Sequence, residues 1–131
     1  MALFPNEVPE NSPLALIIED EPDSAVIFSL ALQQAGYQTE IALDGNEALK
    51  RLKVIIPTIV LLDLQLPQVS GKDILQQIRN DTRLASTWVI LATADALRAQ
   101  SLSESADLIL LKPIGFQQLR DLATRLRPRE T

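Results

Sequence analysis

Cysteine and histidine are both missing from the 131-residue sequence, and each absence removes a class of chemistry. Without cysteine there is no disulfide, no thiolate nucleophile and no zinc-thiolate site, and a reducing interior is the expected setting. Without histidine there is no imidazole general base, no imidazole metal ligand and no histidine able to carry a phosphoryl group itself. A metal, if bound, must be held by oxygen ligands, which points to magnesium, calcium or manganese. Positive charge is also scarce. The net charge is −5, the pI is about 4.6, and basic residues gather only at Arg120, Arg125, Arg127 and Arg129. Phosphate backbones demand clustered lysine and arginine, so no nucleic-acid partner is expected. No apolar run approaches the ~20 residues that span a bilayer. The amino terminus lacks the basic-then-apolar plan of a signal peptide. The expectation is a soluble, cytoplasmic protein without a membrane partner.

What is present fits one packed domain, with 47% of the residues apolar. Pro5, Pro9 and Pro13 stand among polar residues, so residues 1–13 read as an extended lead-in, residues 14–126 as the folded unit and residues 127–131 as a tail. Four short apolar runs, Leu14–Ile18, Ile59–Leu62, Val89–Ala92 and Leu108–Leu111, read as interior strands covered on both faces. The more polar Gln38–Ala42 reads as an edge strand.

Helical signals fill the gaps. Pro22 and Gly36 bound a first helix that runs to Ala35, the glycine serving as a left-handed cap. Asp44 and Gly45 make a turn before a short helix, Asn46–Lys53, and Ile74, Leu75 and Ile78 share one face of a third. Residues 95–105 form a weak helix, its propensity lowered by serines. Phe116, Leu119, Leu122, Ala123 and Leu126 line a last one. The alternation implies right-handed crossovers and an α/β fold. The architecture expected is a flavodoxin-like, doubly wound, five-stranded parallel sheet, (βα)5, in a three-layer sandwich.

Every interior strand closes on polar chemistry at its carboxyl end: Glu19-Asp20-Glu21, Asp63, Thr93 and Lys112. In open α/β sheets that edge forms the ligand crevice. Taken singly these residues are ambiguous. Acids favour helix N-termini, an aspartate after a strand starts Asx turns, and a lysine there is commonly a solvated group. Taken together they converge. Carboxylates about 4 Å apart repel by about 4 kcal/mol at an effective dielectric of about 20, against a domain stability of roughly 5–15 kcal/mol. A bound hard cation removes that repulsion, and magnesium leaves room for a phosphoryl oxygen. An ionised Asp63 is then a nucleophile toward phosphorus, with Lys112 and Thr93 placed to meet the phosphoryl oxygens.

These motifs resemble the receiver domain of the response regulators of two-component and phosphorelay signalling. The matching segments are Leu16–Pro22, Asp44–Leu49, Ile59–Pro67 through Gly71, Val89–Ala94 and Leu110–Pro113. The resemblance implies a phosphoprotein, Mg²⁺-dependent, in which Asp63 becomes an aspartyl phosphate. The donor would be a phosphohistidine on a sensor histidine kinase or histidine phosphotransfer protein, and the output would pass to a downstream effector protein. It further implies that Glu19, Asp20, Asp63 and the Gln65 backbone carbonyl hold the metal. Lys112 contacts the phosphoryl group, Thr93 is the switch hydroxyl and the Lys112-Pro113 bond is cis. Such a domain catalyses only its own phosphotransfer and dephosphorylation and is not otherwise an enzyme.

Two departures bear on output. Ile109 stands where many members have an aromatic residue, and the stretch from Thr93 to Lys112 is short and serine-rich. They leave open a second reading, a receiver-like interaction module that signals without phosphorylation. A metal-dependent phosphohydrolase needs an acid two residues after the nucleophile, where this chain has Gln65. A nucleotide or flavin binder needs glycines and amides after strand one, where this chain has Glu-Asp-Glu. Trp88, the sole tryptophan, is expected at the far end of its strand from Thr93, about 16 Å away at ~3.3 Å per residue.

Overall fold

A computed structural model of the chain describes residue 9 and residues 11–128. The expected lead-in lies mostly outside the described residues, as does the end of the tail, Arg129 included. In chain order the elements are β1 (Leu14–Ile18), α1 (Pro22–Gln34), β2 (Gln38–Ala42), α2 (Gly45–Leu52), β3 (Ile59–Asp63), α3 (Gly71–Asn80), β4 (Trp88–Thr93), α4 (Ala96–Ser101), β5 (Leu108–Leu111) and α5 (Phe116–Arg125). A short 3₁₀ turn, Thr82–Leu84, precedes β4 and carries no periodic signal in the sequence.

All five strands pair in parallel in the order β2-β1-β3-β4-β5. Because successive side chains on a strand face opposite ways, the apolar runs feed two cores at once. Leu16, Ile18, Val60, Leu62, Val89 and Leu91 pack with Ala48 and Leu52 of α2, Ile74, Leu75 and Ile78 of α3, and Ala99 of α4. Ala15, Ile17, Ile59, Leu61, Ile90 and Ala92 pack with Phe28, Ala31 and Leu32 of α1 and with Leu119 and Ala123 of α5. The helices therefore cover both faces, giving the expected three layers.

The structure corrects the sequence reading in four places, one of them α2, which spans Gly45–Leu52 with Asp44 as its N-cap and so lies one residue earlier than the expected Asn46–Lys53. β5 is an edge strand rather than an interior one: among the described residues it pairs only with β4, and Leu111 is 50% exposed. Its apolar run reflects helices above and below the sheet, which says nothing about hydrogen-bonded neighbours on either side. α4 covers only Ala96–Ser101, with turns to Ser105 where the longer helix is expected. α1 ends at Gln34, one residue early, and Gly36 takes the left-handed φ of 98°. Arg79 ties the irregular segment down. Its guanidinium donates to Ser105 O at 2.6 Å and to Asp107 Oδ2 at 2.6 Å, and that same oxygen accepts from Val89 N at 2.7 Å.

Close packing beneath the carboxyl edge depends on Gly71. A Cβ there would lie 2.8 Å from Leu64 Cα and 2.9 Å from Asp63 O, both backbone atoms that cannot swing aside. We expect Gly71→Ala to lower stability by about 1–3 kcal/mol. Gly115→Ala, whose nearest contact would be 3.7 Å away, meets no clash and should cost less, at most about 1 kcal/mol from the poorer N-cap of α5. Urea unfolding midpoints of the two variants check the contrast.

Candidate phosphoryl-acceptor site

The strand order reverses direction between β1 and β3: the chain leaving β1 enters α1 on one face, and the chain leaving β3 leads to α3 on the other. The two loops part there and leave a crevice between them. Glu19 and Asp20 follow β1 and Asp63 ends β3 at this point, and one carboxylate oxygen from each lies within 4.8 Å of the others. Glu19 and Asp63 are buried, whereas Asp20 is exposed.

The third acid of the run does something else. Glu21 is the N-cap of α1, its carboxylate accepting from Asp23 N at 3.2 Å and Ser24 N at 2.7 Å. Those bonds hold its carboxyl below the usual range. The two meanings of an acidic run are thus divided among neighbouring residues: Glu19 and Asp20 face the crevice and Glu21 satisfies the helix end. Asp63 combines both meanings in one side chain. Its Oδ1 accepts from Gln65 N at 2.9 Å, an Asx turn that fixes the carboxylate, while Oδ2 faces Lys112.

Lys112 is the counter-charge. Its Nζ donates to Glu19 Oε1 at 3.0 Å and to Asp63 Oδ2 at 3.3 Å. Burial alone would lower the lysine's pKa, but the hydrogen bond to Glu19 and the charges of Asp63 and Glu19 outweigh it and raise it. It therefore stays protonated. Glu19 moves up as well, because burial and a hydrogen bond shared with Asp63 disfavour its charged form more than Lys112 favours it. The peptide bond that follows, Lys112-Pro113, is cis, as the resemblance implies.

Thr93 ends β4 beside this group and is fully buried. Its carbonyl accepts from Lys112 N at 2.9 Å, which sets the lysine's backbone in register with the strand end. Its Oγ1 accepts from Asp95 N at 3.0 Å, leaving the hydroxyl proton to donate elsewhere. Of the sequence-predicted residues, Glu19, Asp20, Asp63 and Lys112 form one cluster. Thr93 adjoins it, and Gln65 joins through its backbone N–H. Ile109 is half-buried and packs against the core on the α2–α4 face. Sequence reasoning missed the role of Gln65 N, since backbone donors leave no residue-type signal.

The donor set is all oxygen, partly buried and more negative than one lysine neutralises, which suits a hard divalent cation. The Asp63 carboxylate is fixed at both oxygens, Oδ1 by Gln65 N and Oδ2 by the Lys112 ammonium.

Comparison with known proteins bears on the family and the fold. Residues 15–124 match the family model described as the response regulator receiver domain. The transcriptional regulatory protein TrcR of Mycobacterium tuberculosis is 32% identical over 120 residues, covering 90% of this chain and 46% of TrcR. The sensor histidine kinase TmoS of Ectopseudomonas mendocina is 31% identical over 119 residues, covering 88% of this chain and 12% of TmoS. The chain thus spans less than half the length of either relative. The response regulator TrrA of Thermotoga maritima, solved in complex with Mg²⁺ and BeF, superposes with a TM-score of 0.78 at 30% identity, covering 87% of this chain and 98% of that one. With its doubly wound sheet and its family match over most of its length, the chain belongs to the response regulator receiver domains, which are parts of signalling proteins rather than enzymes in the ordinary sense.

Proposed function

We propose that this chain accepts a phosphoryl group on Asp63 from a phosphohistidine and serves as a switch or phosphoryl shuttle. The receiver unit would be residues 14–126. The observation that carries this is a buried Asp63 carboxylate bridged by Lys112 and set within 4.8 Å of Glu19 and Asp20. An oxygen of Asp63 forms the new bond to phosphorus. The P–N bond of the donor breaks, and its electron pair returns to the imidazole nitrogen of the partner. Lys112 offsets charge on the phosphoryl oxygens, and the Thr93 hydroxyl donates to one of them. Glu19, Asp20, Asp63 and the Gln65 carbonyl would hold Mg²⁺, which supplies charge neutralisation at the phosphoryl group. TrrA, crystallised with Mg²⁺ and BeF, supports that assignment by likeness.

Kinases and regulators both occur among the relatives, which fits a sensor histidine kinase or histidine phosphotransfer protein upstream and an effector protein downstream. One observation favours the second reading, an interaction module independent of phosphorylation. Ile109 is half-buried against the core, and an aliphatic side chain cannot act as an aromatic switch behind Thr93. The complete charged cluster favours the first.

Incubation with acetyl phosphate and Mg²⁺ should add one phosphoryl mass to the wild type and none to Asp63→Asn, read by intact-mass spectrometry. No gain in either protein, with no binding of beryllofluoride, would favour the interaction module.

Glu19 gives a pH prediction. Its folded-state pKa lies above the ordinary 4.5, so the folded chain holds this proton more tightly than the unfolded one. The associated stability is complete below about 4.5 and is lost as pH rises through the folded pKa. Without metal, Glu19→Gln should therefore gain on the wild type from acid to neutral pH, and added Mg²⁺ should restore the advantage of the wild type. Urea midpoints across the pH range measure this.

Trp88 begins β4 and Thr93 ends it. Its fluorescence should accordingly change little on Mg²⁺ addition, and strong quenching would contradict the placement of the metal.

A further inference from the structure

The amino end of the sheet carries a surface that the carboxylate cluster does not use. Ile56 and Trp88 are 62% and 39% exposed. With Thr58, Arg125, Arg127 and Pro128 they line a groove of about 440 Å³. Its floor is fixed by backbone and buried side chains. Trp88 N donates to Thr58 O at 2.9 Å, and the buried Thr87 hydroxyl donates to Pro57 O at 2.7 Å. An exposed indole beside an exposed isoleucine is a surface that gains from being covered.

The rim is cationic. Arg51, Arg79, Arg83 and Arg120 each have a carboxylate partner, whereas neither Arg125 nor Arg127 is ion-paired among the described residues. The Arg127 guanidinium lies over Gly36, where an added Cβ would meet it at 2.9 Å. Guanidinium groups prefer carboxylates, which they bind in a planar fork. Tryptophan and arginine together are the residues that most often dominate binding surfaces. The net charge of −5 opposes an anionic partner at a distance. Beyond roughly 8–10 Å that field is screened, so the charges at the groove decide.

We propose that this groove docks an acidic linear segment of another protein, its apolar side chain seated against Trp88 and Ile56 and its carboxylates on Arg125 and Arg127. The groove and Thr93 lie at opposite ends of β4, about 16 Å apart at ~3.3 Å per residue. Docking therefore does not require phosphorylation, and the proposal stands apart from the one made for Asp63.

Trp88 is the only tryptophan, so its emission reports on the groove directly. The probe is a blocked peptide, Glu-Asp-Leu-Phe-Glu-Asp, which contains no tryptophan or tyrosine. Titration should give a saturable blue shift with the wild type and with Asp63→Asn alike. Arg125→Glu should bind at least about tenfold more weakly, and Arg125→Gln should fall between, each folded by circular dichroism. A peptide with lysines in place of the acids should give no shift. The proposal is overturned if the acidic peptide gives no saturable response up to millimolar concentration, or if acidic and basic peptides respond equally. It is also overturned, in favour of a second copy of the chain, if Trp88 becomes protected with rising protein concentration alone and sedimentation shows a dimer.

Discussion

The carboxylates of Glu19, Asp20 and Asp63 approach within 4.8 Å of one another, a spacing at which a pair of unit charges repels by about 3–4 kcal/mol at an effective dielectric of about 20. Much of the local structure answers that constraint. Lys112 reaches in from the edge strand to bridge Glu19 and Asp63, and the Thr93 carbonyl fixes the backbone from which it reaches. The Asx turn to Gln65 holds the other oxygen of Asp63. Gly71 lets α3 start against the Asp63 and Leu64 backbone. Removing Lys112 would leave the buried carboxylates without their counter-charge, whereas a bound cation would complete the neutralisation that one lysine only begins.

Much of this was legible in the sequence because strand and site share one rule. An apolar run buried on both faces must end where the chain regains water, and polar chemistry placed at that point in successive strands is brought together by parallel pairing. Leu14–Ile18, Ile59–Asp63 and Trp88–Thr93 obey it, so Glu19, Asp63 and Thr93 could be placed before any coordinates. β5 shows where the rule stops. Leu108–Leu111 is apolar because helices lie above and below it, and residue type does not reveal whether a neighbour lies beside it. α4 shows a second limit. Serines correctly signalled weakness, but the length of the helix is decided by tertiary ties such as Arg79 to Ser105 and Asp107, which are remote in sequence.

The two ends of the sheet carry opposite chemistry. The carboxyl edge concentrates negative charge around a buried nucleophile candidate, and the amino edge presents Trp88 and Ile56 beneath two arginines. β4 runs between them, closed by Thr93 at one end and opened by Trp88 at the other. The two proposals made for this domain thus rest on separate surfaces. Ile109 offers no aromatic side chain on β5, and Thr93 is tied to the short α4 through Asp95, its N-cap.

On the proposed reading the clustered carboxylates would hold a hard divalent cation at Asp63. Isothermal calorimetry of Mg²⁺ binding tests it most directly. The wild type should bind one Mg²⁺ per chain, and Asp63→Asn should bind far more weakly. Equal binding by the two proteins, or no binding by the wild type, would contradict the account.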